Sequence, residues 1–321
     1  MRIVVIGLGS MGKRRIRLLH QIDEKMEIIG IDSRLDRVNE VREKYGIRCI
    51  GSFKDLSEDI DCAFVCTSPQ YHADIIRECL ERDCHVFSEI NLIDAGYEEN
   101  VQLAKEKGKV LFLSSTPLYK AEMQYIDCEV KKSKKVLVYN YHVGQYLPDW
   151  HPWDNLKEFF IGKKETNGCR ELFAIELPWL QKTFGKIVDV QVLKRKITSL
   201  QVDFPDVYIV QIIHADGNIG NLFIDVVSRQ PVRKLEVIGE DIYISWDGTP
   251  DSLYQRDLDN NEMKNVHMGE YIRENGYGAF INEYTYLQEI QEFFEVIEGK
   301  EAIYGFETDK VILKWIDKIE N

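Results

Sequence analysis

The residues of this sequence able to do chemistry fall into groups. Gly7, Gly9 and Gly12 are spaced G-x-G-x-x-G, with Ser10 and Met11 inside the motif. The chemistry is phosphate binding. The first glycine allows a tight turn, the second lets a pyrophosphate approach the backbone, and the third lets a helix pack closely on a strand. Asp32 stands about 20 positions beyond Gly12, where a carboxylate takes both hydroxyls of an adenosine ribose and repels a 2′-phosphate. It favours NAD(H), while Arg34, able to hold a 2′-phosphate, keeps NADP(H) possible; Ser33 between them is a further candidate cofactor contact. Thr67-Ser68-Pro69 and His72 form another polar group. Gly144 to Asp154, GQYLPDWHPWD, combines His151, a side chain able to exchange a proton near neutral pH, with Asp149 or Asp154 to orient it and with Trp150 and Trp153 as stacking surfaces. That segment reads equally as a proline-stiffened loop whose tryptophans pack on the protein.

The elements that must position these groups are legible as an alternation. Arg2 to Ile6 is a short β-branched run, as in a strand buried on both faces, and Lys13 to Leu19 continues with helical apolar spacing. A glycine motif between strand and helix is in the context that phosphate binding requires, where the helix N-terminus offers free N–H groups and a positive dipole end. Glu27 to Ile31, Ile47 to Ile50, Asp61 to Thr67, His85 to Ser88 and Lys109 to Ser114 read as further strands, with helices between them. Alternation of this kind predicts a parallel, doubly wound sheet with right-handed crossovers. Thr67, Ser68, Pro69 and His72 follow a strand's carboxyl end and are therefore candidate cofactor contacts; His72 reads equally as a packing or capping histidine. Beyond Tyr119 the rhythm changes to longer alternating runs, which predict an α/β domain with a large open, mainly antiparallel sheet. The expected domains are 1–118 and 119–321.

Composition bounds the function. At 321 residues the chain suits two domains, and its net charge of −13 argues against nucleic acid and anionic membranes as partners. No apolar stretch is long enough to span a bilayer, and the N-terminus runs straight into a strand rather than a leader. The seven cysteines are scattered, which fits a reducing cytoplasm. Cys79, Cys84 and His85 lack a second ligand pair, so no metal site is expected.

The segments Gly7 to Arg15, Val65 to Ile75, Cys84 to Leu92 and Tyr286 to Lys300 together resemble the glucose-fructose oxidoreductase, inositol dehydrogenase and rhizopine-catabolism family. The resemblance implies a Rossmann domain, a nicotinamide cofactor, a sugar-like or polyol substrate, and a homodimer or homotetramer built through the C-terminal sheet. The Gly144 to Pro152 segment resembles a subgroup associated with bacterial surface-sugar synthesis.

Departures from the family pattern bear on mechanism. The family reads Glu-Lys-Pro where this chain has Glu89-Ile90-Asn91, and its lysine handles the proton that leaves with hydride transfer. Ile90 cannot. The family's aspartate and histidine on a helix fall here on Leu172 and Glu176, and its Arg-Phe pair on Leu118-Tyr119. The resemblance therefore leaves Glu89, Glu176 and His151 as catalytic candidates, Glu89 also as a cofactor contact. Glu176 reads alternatively as a helix carboxylate paired with a Lys or Arg. Without proline, the Ile90–Asn91 bond is expected to be trans.

Overall fold

The computed structural model describes residues 1–150, 159–268, 272 and 280–321. The chain divides into two compact units, Met1–Ser115 with Tyr286–Val311, and Thr116–Thr285 with Ile312–Asn321.

The first unit alternates β1 (Arg2–Ile6), α1 (Ser10–Ile22), β2 (Glu27–Ile31), α2 (Leu35–Tyr45), β3 (Arg48–Ile50), β4 (Cys62–Val65), α3 (His72–Glu81), β5 (His85–Ser88), α4 (Tyr97–Lys107) and β6 (Leu111–Leu113). The sheet order is β3-β2-β1-β4-β5-β6, parallel throughout, which is the doubly wound dinucleotide-binding order. Ile3, Val4 and Val5 of β1 are fully buried, as a central strand covered on both faces must be.

The division by contacts differs from the expected domains 1–118 and 119–321 in two respects. The first unit ends at Ser115, and 286–311 returns to it. The cause is aromatic packing. Phe64 and Phe87 stack at 4.8 Å, and Phe293 meets both edge-on at 5.5 and 5.6 Å. A helix that late in the sequence shows its apolar face plainly, but not the surface it will cover.

The second unit holds α5 (Ala121–Lys132), β7 (Val138–Gly144), α6 (Gly168–Phe184), β8 (Ile187–Arg195), β9 (Val207–His214), β10 (Ile219–Asp225), β11 (Val232–Ile238), β12 (Tyr243–Trp246), β13 (Tyr254–Arg256) and β14 (Met263–Asn265). Helix α7 (Glu283–Ile297) begins in this unit, and α8 (Phe306–Glu320) ends in it. The eight strands are ordered β14-β13-β12-β11-β7-β10-β9-β8. The expected antiparallel sheet is present with one parallel pair, β7 with β10, because β7 is placed between β11 and β10 at the centre. Helix α6 lies on β9 and β10 and packs against α5. Asn167 caps α6 by accepting from the Arg170 N–H at 2.9 Å.

In the first turn of α6, burial pushes the Glu171 carboxyl pKa up to about 7, and its Oε2 has no hydrogen-bond partner among the described residues. The folded state thus holds a proton that the unfolded chain releases near its ordinary value of 4.5. Wild-type stability should fall as pH rises from about 4.5 to about 7 and stay reduced above that. Glu171→Gln should be more stable than wild type by on the order of 2 kcal/mol above this window, the gap closing below it. Urea unfolding across pH checks this; a pH-independent difference would refute it.

Candidate functional site

In the first unit, β1 delivers the chain to the turn Gly7-Leu8-Gly9. Gly7 has φ of +92°, and a Cβ there would lie 2.7 Å from the Cys66 carbonyl group. A Cβ on Gly12 would lie 1.9 Å from the Gly7 carbonyl oxygen, so only glycine lets α1 start this close to the strand. Above Gly9 the backbone is open: among the described residues only the Arg37 guanidinium comes within 4 Å of where a Cβ would sit. Among the described residues no side chain caps α1, and its first turn carries no acidic residue. An open glycine and uncapped N–H groups at a positive dipole end fit the pyrophosphate of a dinucleotide.

Asp32 is placed at the end of β2 as the spacing predicts. Its Oδ2 accepts from the Leu8 N–H at 2.8 Å and its Oδ1 from the Arg34 N–H at 2.9 Å. The carboxylate is thus aimed by backbone, with lone pairs left over for hydroxyls. Arg34 itself turns to Asp36 at 2.6 Å, an exposed pair that lowers the Asp36 pKa to about 2. The guanidinium beside Asp32 belongs to Arg37, at 3.6 Å.

Glu89 follows β5 and is tied down. Arg15, with no exposed side-chain surface, donates to Glu89 Oε1 at 2.6 Å and Oε2 at 3.2 Å, and to Glu289 Oε2 at 2.7 Å. Ser114 Oγ and the Ser115 N–H donate to Glu289 Oε1 at 2.9 and 2.8 Å. Burial opposes the charge on Arg15, but Glu89 and Glu289 outweigh it and hold its pKa above the ordinary value; burial raises that of Glu289. His72 is buried at the head of α3, its Nε2 2.8 Å from the Thr67 carbonyl and its Nδ1 2.6 Å from Asn91. The Ile90–Asn91 bond is trans, as expected.

In the second unit a separate cluster of charges is buried. Glu176 Oε2 accepts from Tyr141 Oη and Trp179 Nε1, both at 2.8 Å, and Oε1 pairs with Arg233 Nη2 at 2.6 Å. Lys120, just before α5, donates to the Gly248 and Phe280 carbonyls at 3.0 and 3.1 Å and lies 4.9 Å over the Trp246 ring. Burial, and then the charge of Arg233, bring its pKa down to about 8.

Residues 1–115 match the family described as "Oxidoreductase family, NAD-binding Rossmann fold". The match covers the Met1–Ser115 part of the first unit and is to the NAD-binding Rossmann fold of that family. Among relatives, 4-carboxy-2-hydroxymuconate-6-semialdehyde dehydrogenase of Sphingobium sp. is 35% identical over 134 residues, 39% of this chain and 42% of the relative. Myo-inositol 2-dehydrogenase of Thermotoga maritima is 34% identical over 121 residues, 35% of each chain. These matches thus span less than half of either relative. The fold as a whole is similar to that of levoglucosan dehydrogenase, solved with NADH, with a TM-score of 0.81 at 16% identity, covering 99% of this chain and 95% of that one.

Within this NAD-binding Rossmann unit the structure brings together Gly7, Gly9, Ser10, Met11, Gly12, Asp32, Ser33 and Arg34 around the first turn, and Thr67, Ser68, Pro69, His72 and Glu89 beyond β4 and β5. His151, Trp153 and Asp154 lie outside the described residues. Of their neighbours, Leu147 is buried, and Trp150 lies against Gly168 at the start of α6, 3.7 Å from where a Cβ there would sit. Among the described residues no group of His, Cys, Asp and Glu is placed to hold a metal ion. Sequence reasoning missed Arg37 and Lys120. Arg37 carries a signal, being one helical turn past the position scanned for a phosphate-binding cation. Lys120 carries none, since its burial comes from Gly248, Phe280 and Trp246, far away in sequence.

Replacing Asp32 with alanine should weaken NADH binding by about tenfold or more, as loss of a charged hydrogen-bond acceptor does, and should erase discrimination against NADPH. Fluorescence titration with both nucleotides checks this; an unchanged NADH affinity would remove Asp32 from the ribose site.

Proposed function

We propose that the chain is an NAD(H)-dependent oxidoreductase acting on a sugar, a sugar nucleotide or a sugar-derived acid. The observation that carries this reading is the Gly7–Gly12 turn, open above Gly9, with the Asp32 carboxylate held at its side. The bound nicotinamide would accept or donate the hydride. Inositol and levoglucosan dehydrogenases among the similar proteins support a polyhydroxylated substrate. The segment from Gly144 to Pro152 supports a place in surface-glycan synthesis. Free cysteines throughout fit a reducing, cytoplasmic setting.

The chain's own residues must still move the hydroxyl proton. Ile90 offers no proton acceptor. His151 is the candidate the sequence offers for that task; in the second unit, Lys120 is a buried amine with a pKa of about 8. Glu89 and Glu176 are engaged by Arg15 and by Arg233. That engagement favours a second reading, a cofactor-binding protein without hydride chemistry that acts as sensor or partner subunit. Incubation of the NAD-loaded protein with sugar nucleotides, aldonic acids and polyols, followed by nicotinamide absorbance, separates the two. Turnover lost in Lys120→Met or His151→Ala identifies the proton carrier. Retained NAD with no absorbance change for any substrate establishes the second reading, and a protein that retains neither NADH nor NADPH refutes both.

The outer face of the eight-stranded sheet supports self-association. Ile238, Val138 and Ile219 are paired across β11, β7 and β10, and Phe223, Ile209 and Leu193 across β10, β9 and β8. Ile238, Val138 and Ile209 are each 40% exposed, Ile219 47% and Leu193 72%. Apolar rows of this kind on one face fit a second copy of the chain, giving a homodimer or homotetramer. Ile209→Lys should lower the mass measured by light scattering to that of a monomer with the thermal midpoint of each subunit retained; an unchanged oligomer would place the contact elsewhere.

A further inference from the structure

Strands β7 and β10 run parallel with Gly144 level with Asp225, so their carboxyl ends lie side by side. Strand β11 lies on the other side of β7, antiparallel, and starts with Val232 level with Gly144. The chain leaving β10 at Asp225 must therefore cross over the end of β7 before it enters β11, and residues 226–231 make that crossing. The chain leaving β7 passes beneath it. This is the Gly144 to Asp154 segment, with Tyr146 five positions before His151.

Both segments are pinned. Asp225 has no exposed surface and accepts from the Val227 and Ser228 N–H groups at 2.9 and 2.7 Å and from Ser228 Oγ at 2.9 Å. The Leu147 N–H donates to the Val226 carbonyl at 3.0 Å. A Cβ on Gly144 would lie 2.3 Å from Asp225 Oδ2, so glycine is what lets the two strand exits come this close.

Arg229 stands in the middle of the crossing and is exposed. Its guanidinium carbon lies 3.6 Å from the centroid of the Tyr146 ring. At that distance the group must lie flat, because edge-on a nitrogen would be driven into the ring. Lying flat, it turns its N–H groups outward around the rim, in the fork that fits a carboxylate or a phosphate with two bonds at once. Among the described residues no acidic side chain pairs with Arg229, in a chain with 54 acidic residues against 41 basic ones. An aromatic ring rather than a carboxylate thus holds the side chain, and its donors stay available.

We propose that Arg229 binds the anionic group of the substrate, a sugar carboxylate or a sugar phosphate, with Tyr146 as the platform that holds the guanidinium in place. What the anion is attached to rests on the sugar-directed reading above; the anion site itself needs no nicotinamide chemistry.

Titration with glucuronate, glucose-1-phosphate and neutral glucose, followed by calorimetry and by the side-chain Nε–Hε NMR signal of Arg229, tests this. At least one of the two anions should move the signal, and glucose should not. A response to glucuronate alone assigns the carboxylate, and one to glucose-1-phosphate alone the phosphate. Arg229→Gln should weaken the responding anion by about tenfold or more, as loss of a charged hydrogen bond does. Its thermal midpoint should match wild type, since the side chain is exposed. Arg229→Lys keeps the charge but not the fork and should recover only part of the affinity. Tyr146→Leu should weaken the same anion about two- to fivefold, as loss of a cation–π contact does. An Arg229 signal indifferent to both anions, an equal response to glucose, or an unchanged anion affinity in Arg229→Gln overturns the proposal. A protein that passes this test yet never changes nicotinamide absorbance keeps the anion site and loses the dehydrogenase reading. An active dehydrogenase that fails it keeps that reading and loses the site.

Discussion

A guanidinium without exposed surface, held between two carboxylates, organises the first unit. Arg15 joins α1 to Glu89 after β5 and to Glu289 on α7, and Ser114 and Ser115 after β6 complete the bonding of Glu289. The group carries more negative than positive charge, so it depends on every donor present, and a single deletion would leave a buried charge uncompensated. The same bonds fix where the segment after β5 begins. They hold Glu89 as an anchor at the crevice, with both oxygens committed to Arg15.

The second unit uses the same physics at Glu176. Tyr141 and Trp179 donate to one oxygen of a carboxylate with no exposed surface, and the charge of Arg233 stands 2.6 Å from the other. The alternative of a helix carboxylate paired with a cation is the arrangement found, with Arg233 from β11 as partner. Lys120 differs from these two carboxylates. Its bonds go to neutral carbonyls, and burial, followed by the charge of Arg233, lowers its pKa against the pull of Glu122 and Glu176. Charge compensation therefore distinguishes structural ions from a group with a proton to exchange.

Local signals carried far in this chain. The strand–glycine–helix opening needs only residues 2 to 19, and Asp32 only a count of positions, so the nucleotide-binding half was legible without a structure. The Thr67 to His72 segment was legible for the same reason, since it follows a buried apolar run directly. His72 was open between contact and packing residue, and its partners at Thr67 and Asn91 decide that it bridges two segments. Arg34 looked like the cation beside the ribose, but an aspartate two positions on captures it, and side-chain reach leaves that place to Arg37.

The sequence by itself determined the alternation of strands and helices, the glycine turn and the acid at the end of β2, because each depends on periodicity or on backbone geometry within a few residues. Only the tertiary structure decided that 286–311 belongs with the first unit, that β7 and β10 pair in parallel, and that Glu89 and Glu176 are each held by an arginine. These are long-range pairings, and a buried charge takes whichever partner the fold brings within bonding distance. Nothing in the spacing of residues 15, 89 and 289, or of 120, 248 and 280, announces that they meet.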